Sequence, residues 1–225
     1  LRGAVKHVVG EQVAASVDIV SDGEYGKGIG WEQYVLERHE GFGPRVVLAT
    51  EGGVAFGDFA RFADFYAEMW SKEQYLEGIF PCVGPIKYTG QAALQRDIDN
   101  LKAAMAAAGA KQGFLPVAAP ASAFSMSPNQ YYKTDEEYMY AGAEALRTEY
   151  KAITDAGLYV QIDDAHLPFT YDRMVPPATP KEFRTWARIR VDALNHALRG
   201  ISEDRVRYHI CWGSWNGPHS SDVPL

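Results

Sequence analysis

A histidine and a cysteine near the carboxyl end of the sequence have the spacing of two ligands for one metal ion. The run Val206–Trp212 alternates apolar and polar side chains, which predicts a strand. Alternate residues of a strand point to opposite faces, so His209 and Cys211 project from the same face, roughly 6.5 to 7 Å apart along the backbone. An imidazole and a thiolate so placed are typical zinc ligands. Because zinc sites need three or four ligands, a buried histidine and cysteine without a metal remain the alternative for this pair.

Carboxylates stand at the ends of two other predicted strands. The run Leu158–Asp163 alternates in the same way and places Asp163 on its polar face, at the carboxyl end. The run Val17–Val20 leads into a polar turn that contains Asp22 and Glu24. Either acidic strand end alone is also typical of a helix N-cap or a solvated loop. Polar groups at three strand ends together indicate an active site, because barrel enzymes build their sites from the carboxyl ends of their strands.

The second cysteine of the chain, Cys82, lies in a further predicted strand, Ile79–Val83, and Gly84 follows that strand directly. Its thiol could in principle join the two metal ligands, but a buried, inert thiol is the favoured interpretation. Two cysteines this far apart in the sequence do not make a disulfide framework. Reduced thiols are therefore predicted.

Strands and helices alternate along the chain. Helices are predicted over residues 91–108, 134–156 and 179–200, with Thr-x-x-Glu capping boxes at Thr134 and Thr179. The strands are the four named above and a fifth, Phe114–Ala118. This order indicates parallel βαβ units in one α/β domain over residues 1–225, with residues 25–59 as a long irregular stretch. An open doubly wound sheet and a (β/α)8 barrel share this alternation, and a closed barrel needs eight strands where five are predicted.

Composition restricts the class of partner. Lys and Arg number 22 against 29 Asp and Glu, which gives a formal net charge of −7. With no basic cluster along one face, neither a nucleic acid nor an anionic membrane surface is an expected partner. No apolar run approaches the roughly 20 residues that span a bilayer, and the first residues lack the apolar core of a secretion signal, so a cytoplasmic location is expected. Small molecules are the expected ligands, and formation of a homo-oligomer is left open.

Four short motifs occur in an order that resembles a known enzyme family. They are Asp22-Gly23-Glu24, Gly84-Pro85-Ile86, Gln161-Ile162-Asp163-Asp164 and His209-Ile210-Cys211. Together they resemble the carboxyl-terminal catalytic barrel of the cobalamin-independent methionine synthases. The intervening runs Asp97–Leu101 and Asp135–Tyr138 are similar to shorter single-barrel relatives, which include the epoxyalkane:coenzyme M transferases. The resemblance covers nearly the whole chain.

The resemblance implies a (β/α)8 TIM barrel of the methionine synthase and uroporphyrinogen decarboxylase type. It implies a zinc-dependent methyltransferase that transfers a methyl or other alkyl group to a thiol, in the manner of 5-methyltetrahydrofolate and homocysteine. By this resemblance His209 and Cys211 are zinc ligands, and Glu24 and Asp163 are catalytic residues beside the thiol substrate. Zinc lowers the pKa of a thiol and keeps its sulfur nucleophilic, which suits this chemistry. The substrate-binding residues implied in the same way are Asp22, Glu24, Gly84 and Asp163.

The resemblance also predicts that the barrel is incomplete in this chain. Its first strand is expected before Leu1, and the remaining zinc ligands, an acidic residue and a second cysteine, are expected after Leu225. Two other classes of protein stay open: a metal-free barrel enzyme of the uroporphyrinogen decarboxylase type, and a binding fragment without activity. Metal content separates the first of these classes from a zinc enzyme.

Overall fold

A computed structural model describes residues 1–28, 31–47, 57–72, 78–125, 127–211 and 217–224 of the chain. The helices within these residues are α1 Arg2–Ala14, α2 Trp31–Glu37, α3 Gly57–Arg61, α4 Ala63–Lys72, α5 Gln91–Ala108, α6 Pro120–Ala123, α7 Asp135–Asp155, α8 His166–Met174 and α9 Pro180–Ala197. The strands are β1 Ile19–Ser21, β2 His39–Phe42, β3 Val46–Val47, β4 Gly78–Ile79, β5 Cys82–Tyr88, β6 Gln112–Ala118, β7 Tyr159–Asp164 and β8 Val206–Ile210.

A parallel sheet positions the candidate site. Its strand order is β1-β6-β7-β8, and each neighbouring pair is parallel. The four strands correspond to four of the five that the sequence predicts, and the expected α/β class is confirmed. The last strand ends at Ile210, with Cys211 directly after it, and Trp212 of the predicted run lies outside the described residues.

The two faces of this sheet differ as the alternation in β7 predicts. Val160 and Ile162 are fully buried, whereas Tyr159, Gln161 and Asp163 on the other face are half-buried. The buried face belongs to a core in which α1 packs against α5 and α7 packs against α9. The apolar periodicity of these helices therefore covers one face of the sheet and leaves the polar face of β7 accessible.

Helix ends follow the predicted capping chemistry. The Thr134 hydroxyl accepts a hydrogen bond from the Glu137 amide at 3.0 Å and begins α7. At the start of α9, Thr179 and Glu182 form a reciprocal capping box. Gly109 ends α5 with φ +74°, a left-handed conformation that glycine adopts without steric cost.

The strand that carries Gly84 is the main departure from the predicted fold. It runs from Cys82 to Tyr88, so Gly84 lies within the strand rather than after it, and it pairs antiparallel with β2 outside the parallel sheet. Gly41 of β2, with φ +107°, allows this pairing, because a Cβ there would stand 2.8 Å from the Pro85 carbonyl oxygen. Pro85 lacks an amide donor, which suits a two-stranded pair better than a central position.

The region around that pair is also more ordered than the sequence predicts. The stretch 25–59 was expected to be irregular, but its described part contains α2, β2, β3 and the start of α3. The strand predicted over Ile79–Val83 is divided, since β4 pairs with β3 and β5 pairs with β2. Antiparallel pairing in this region depends on contacts between distant segments, which local propensity does not encode. Among the described helices, none is long and apolar enough to cross a membrane.

Candidate functional site

Asp163 and His209 meet at the carboxyl ends of β7 and β8. The parallel register sets the two residues opposite each other, and Oδ1 of Asp163 lies 2.9 Å from Nδ1 of His209. A carboxylate oxygen accepts, so the imidazole donates its Nδ1 proton, and Nε2 is left as the nitrogen that can bind another group. The side chains are 27% and 51% exposed, respectively, which makes the pair accessible to a ligand.

Cys211 stands two residues beyond His209, immediately after the last paired residue of β8. It is half-buried, and its thiol is reduced. The described residues contain no group of three or more His, Cys, Asp and Glu side chains placed to hold a metal ion. The donor atoms present, an imidazole Nε2 with its Nδ1 bound to a carboxylate and a nearby thiol, are of the types that zinc prefers. They fit zinc as two ligands of a larger set.

Glu24 lies in a turn that follows β1. Its backbone is in the left-handed region, with φ +60°, and its carboxylate accepts from the Lys27 ammonium at 2.9 Å. Lys27 lies over the ring of Tyr34, 4.9 Å from its centroid, and the Tyr34 hydroxyl accepts from the Ala118 amide at 2.8 Å. Ala118 is the register partner of Asp163. Contacts through Lys27 and Tyr34 therefore connect the Glu24 turn to the end of the sheet that carries Asp163.

Direct contact between the two acidic sites is not observed. Strand β1 ends at Ser21, which is in register with Phe114 and, through it, with Tyr159, four residues before Asp163. That offset is about 13 Å along a strand. No hydrogen bond or ion pair among the described residues joins Glu24 to Asp163 or His209.

Asp22 is buried at the start of the turn that carries Glu24. It shares its strand parity with fully buried Val20, and it is itself 4% exposed. Its Oδ1 accepts from the Glu24 amide at 3.0 Å, which shapes the turn. Burial raises the pKa of Asp22, although the Glu24 amide and the Lys27 charge act in the opposite direction. The structure thus makes Asp22 a contact that shapes the Glu24 turn, and a role in substrate binding stays a prediction.

Gly84 and Cys82 both belong to the antiparallel β2–β5 pair. The Cys82 thiol is fully buried and donates to the Gly84 carbonyl oxygen at 3.4 Å. Burial raises the pKa of this thiol, so the reactive thiolate is disfavoured. These observations agree with an inert cysteine. Neither residue is in the parallel sheet that carries Asp163 and His209.

Comparisons with known proteins agree with the motifs. No protein-family model matches the chain. The chain is 26% identical, over an alignment of 228 residues, to a methionine synthase of Saccharolobus solfataricus, covering 99% of this chain and 56% of that protein. A second relative, a 2-hydroxypropyl-CoM lyase of Xanthobacter autotrophicus, is 28% identical over 88 residues, covering 39% of this chain and 19% of that protein. A solved structure of a B12-independent methionine synthase from Shewanella sp. W3-18-1, in complex with selenomethionine, superposes with a TM-score of 0.66 at 19% identity, covering 94% of this chain and 51% of that chain.

The resemblance to cobalamin-independent methionine synthases is confirmed.

The chain spans about half the length of the methionine synthases that it matches. Its likeness to the solved methionine synthase confirms the α/β barrel type of fold, of which four parallel strands lie within the described residues.

One buried group of residues beside the candidate site was not predicted from the sequence. Asp164 is 3% exposed, and its two carboxylate oxygens accept from the Ser122 hydroxyl at 2.8 Å and the Tyr208 hydroxyl at 2.9 Å. Burial raises the pKa of Asp164, while these two hydrogen bonds oppose the increase. The available signal was an acidic residue at a position whose parity places it on the buried face of β7, where a carboxylate needs partners.

Proposed function

We propose that this chain carries the zinc-binding strand of a thiol alkyltransferase of the cobalamin-independent methionine synthase type. The reaction is transfer of a methyl or related alkyl group, from a donor such as 5-methyltetrahydrofolate, to a thiol such as homocysteine. The observation that carries the proposal is the 2.9 Å contact between Asp163 and His209, two residues before Cys211. The 26% identity to a methionine synthase over nearly the whole chain supports it.

His209 and Cys211 would hold the metal. The hydrogen bond from Nδ1 to Asp163 selects the tautomer in which Nε2 is unprotonated and can donate its electron pair to zinc. A carboxylate on the far side of a metal-binding imidazole also orients the ring and makes it more basic. In this function Asp163 therefore orients the His209 ring and keeps its Nε2 unprotonated for the metal.

Asp163 has a second oxygen for the substrate. Gln161 and His209 both donate to Oδ1, each at 2.9 Å, and Oδ2 receives no hydrogen bond within the described part of the chain. Oδ2 can accept from the ammonium group of an amino-acid thiol such as homocysteine. Glu24, 49% exposed at the same end of the sheet, supplies a second carboxylate for that group.

The chemistry needs a nucleophilic sulfur and an oriented donor. When bound, zinc supplies the positive charge that lowers the pKa of the thiol substrate while keeping its sulfur nucleophilic. The thiolate sulfur forms a bond to the methyl carbon as the carbon–nitrogen bond of the donor breaks, and the electron pair of that bond stays on nitrogen, which takes up a proton. The residues of this chain orient the imidazole and hold the substrate ammonium, so the sulfur is presented in one direction.

The test is zinc binding and methyl transfer by the purified protein that contains this chain together with the ligands expected after Leu225, and by its variants. Zinc affinity is measured by competition with a chromophoric chelator, and thiol methylation by formation of methionine from homocysteine. We expect His209→Ala and Cys211→Ser each to weaken zinc binding by more than about 100-fold, because a ligand contributes more than a neighbouring hydrogen-bond partner does. His196→Ala removes a histidine that pairs with Glu144 on the surface, and serves as the matched control.

Two outcomes would contradict the proposal. Zinc binding that is unchanged in both variants would show that this strand is not the metal site. Methyl transfer that continues after zinc has been removed by a chelator would place the protein with metal-free barrel enzymes.

A further inference from the structure

Two consecutive aspartates of β7 bond to two consecutive residues of β8, on opposite faces of the sheet. Asp163 accepts from His209 on the polar face, at 2.9 Å. Asp164 accepts from the Tyr208 hydroxyl on the other face, also at 2.9 Å. Because side chains alternate along both strands, the two bonds attach β8 to β7 from both sides.

Asp164 is itself held firmly. Its other oxygen accepts from the Ser122 hydroxyl at 2.8 Å, and the Ser122 oxygen in turn accepts from the His166 amide at 3.0 Å. Ser122 lies in α6 and is fully buried, while His166 begins α8. The carboxylate of Asp164 is thus held by Ser122 of α6, and Ser122 is in turn held by the first residue of α8.

These bonds restrain the register of β8 against β7. The backbone pairing sets Asp163 opposite His209, and the two side-chain bonds hold the strands in that register from both faces. A slip of one residue would turn every side chain of β8 to the other face. His209 would then leave the face that carries Asp163.

We propose that Asp164, held by Ser122, is a positioning residue that acts through Tyr208 to fix the direction in which His209 and Cys211 present their donor atoms. This inference rests on the proposed function of those two residues as metal ligands. Asp163 restrains the imidazole itself, whereas Asp164 restrains the strand that carries it. Removal of the Tyr208 hydroxyl removes the bond to Asp164 and leaves the backbone pairing of β7 with β8 unchanged.

The test compares Tyr208→Phe with Tyr159→Phe. The control removes a hydroxyl from the neighbouring strand, where the ring of Tyr159 contacts Arg205. We expect Tyr208→Phe to weaken zinc binding by up to about 10-fold, less than the loss of a group bonded directly to a metal ligand, which costs about 10- to 100-fold. With Co²⁺ in place of zinc, the visible absorption of the complex should also shift, because the donor atoms are less well directed. Tyr159→Phe should change neither measurement.

A second measurement needs no metal. Nitrogen-15 NMR of histidine-labelled, metal-free chain reports which ring nitrogen of His209 carries the proton. The wild-type protein and Tyr159→Phe should show the Nδ1–H tautomer, whereas Tyr208→Phe should show a mixture of tautomers. If the wild-type protein that also contains the ligands expected after Leu225 binds no zinc, the proposed function fails, and the NMR experiment still tests the positioning.

Ser122→Ala gives an independent variant if Tyr208→Phe does not fold. It removes one of the two hydroxyl bonds to Asp164 and should produce a smaller change of the same kind. A Tyr208→Phe protein with wild-type zinc affinity and a single His209 tautomer would overturn the inference.

Discussion

His39 is a buried histidine with one bonded and one unbonded ring nitrogen. Its Nδ1 lies 2.7 Å from the Val35 carbonyl oxygen and must be the protonated nitrogen, since a carbonyl oxygen only accepts. Nε2 is buried and has no hydrogen-bond partner among the described residues. The ring lies edge-on to Tyr88 and Phe124. Burial, with a smaller contribution from the charge of Arg38, lowers the pKa of His39 to about 4, although the Val35 bond opposes this.

The resulting prediction concerns acid stability. An unfolded histidine has a pKa near 6.5, so between pH 6.5 and 4 the unfolded chain binds a proton that folded His39 does not. His39 therefore causes the free energy of unfolding to fall as the pH decreases through that window, by about 3 kcal/mol at pH 4. We expect His39→Gln to lose this pH dependence in urea unfolding measured at pH 7 and at pH 4. His7→Gln, on an exposed position of α1, should retain it, and equal pH dependence in wild-type chain and His39→Gln would refute the prediction.

At the candidate site, the pattern of residues within each strand was enough to predict which strand face carries the polar side chains. The alternation within β7 and within β8 predicts that Asp163 and His209 each lie on the polar face of their own strand, and the pairing of the two strands brings them to 2.9 Å. The partner of Asp164 was not predictable, because Tyr208 has the same parity as the apolar residues of β8 and its hydroxyl finds Asp164 only when the strands pair. A hydrogen bond across strands depends on register, which one strand alone does not define.

Among the secondary-structure elements, helix α9 begins where the sequence predicts, because neighbouring residues form its N-terminal cap. Thr179 accepts from the Glu182 amide at 3.3 Å, and Glu182 accepts from the Thr179 amide at 2.7 Å. Two amides that the helix itself cannot satisfy are bonded in this way. This capping box was readable in the sequence because all of its partners lie within four residues.

We expect Thr179→Ala to lower the free energy of unfolding by about 1 kcal/mol, the usual loss for an N-cap. Thr185→Ala, an exposed position inside the same helix, is the matched control and should change stability little or raise it slightly, because alanine favours a helix interior. Thermal unfolding followed by circular dichroism measures both. An equal loss for the two variants would mean that capping does not contribute.

The neighbour of strand β5, by contrast, could not be predicted from nearby residues. Its sequence predicts a strand correctly, but not whether that strand joins the parallel sheet or pairs with β2. The choice depends on a close backbone approach at Gly41, some 40 residues away in the sequence. Local β-propensity identifies a strand and leaves its neighbour undecided.

On the scale of the whole molecule, a buried ionic network joins three helical segments. Arg38, just after α2, donates to Asp97 of α5 at 2.6 Å and to Glu149 of α7 at 2.9 Å. The three side chains are at most 7% exposed. Burial raises the pKa of Glu149, and the charge of Arg38 opposes that increase. Gly26, in the turn after Glu24, packs against Asp97 so closely that a Cβ would stand 2.7 Å from its carboxylate. The network therefore also supports the turn that carries Glu24.

We expect Arg38→Ala to lower the free energy of unfolding by about 3 to 5 kcal/mol at pH 7, because it leaves buried Glu149 without its ion pair and Asp97 with Arg96 alone. Lys151→Ala breaks an exposed pair with Asp155 on α7 and should cost less than about 1 kcal/mol. Urea unfolding at pH 7 compares the variants. A small loss for Arg38→Ala, similar to that for Lys151→Ala, would show that the network contributes little to stability.

The sequence by itself determined the α/β class, the helix caps, and the buried and accessible faces of β7. All of these follow from residues close together in the chain, where periodicities of 2 and 3.6 and local hydrogen bonds decide the outcome. The tertiary structure alone decided that β5 lies outside the parallel sheet, that Asp22 is buried, and that Asp164 bonds to Tyr208. These features depend on which strands become neighbours and in which register, and that choice is made by packing between segments far apart in the sequence.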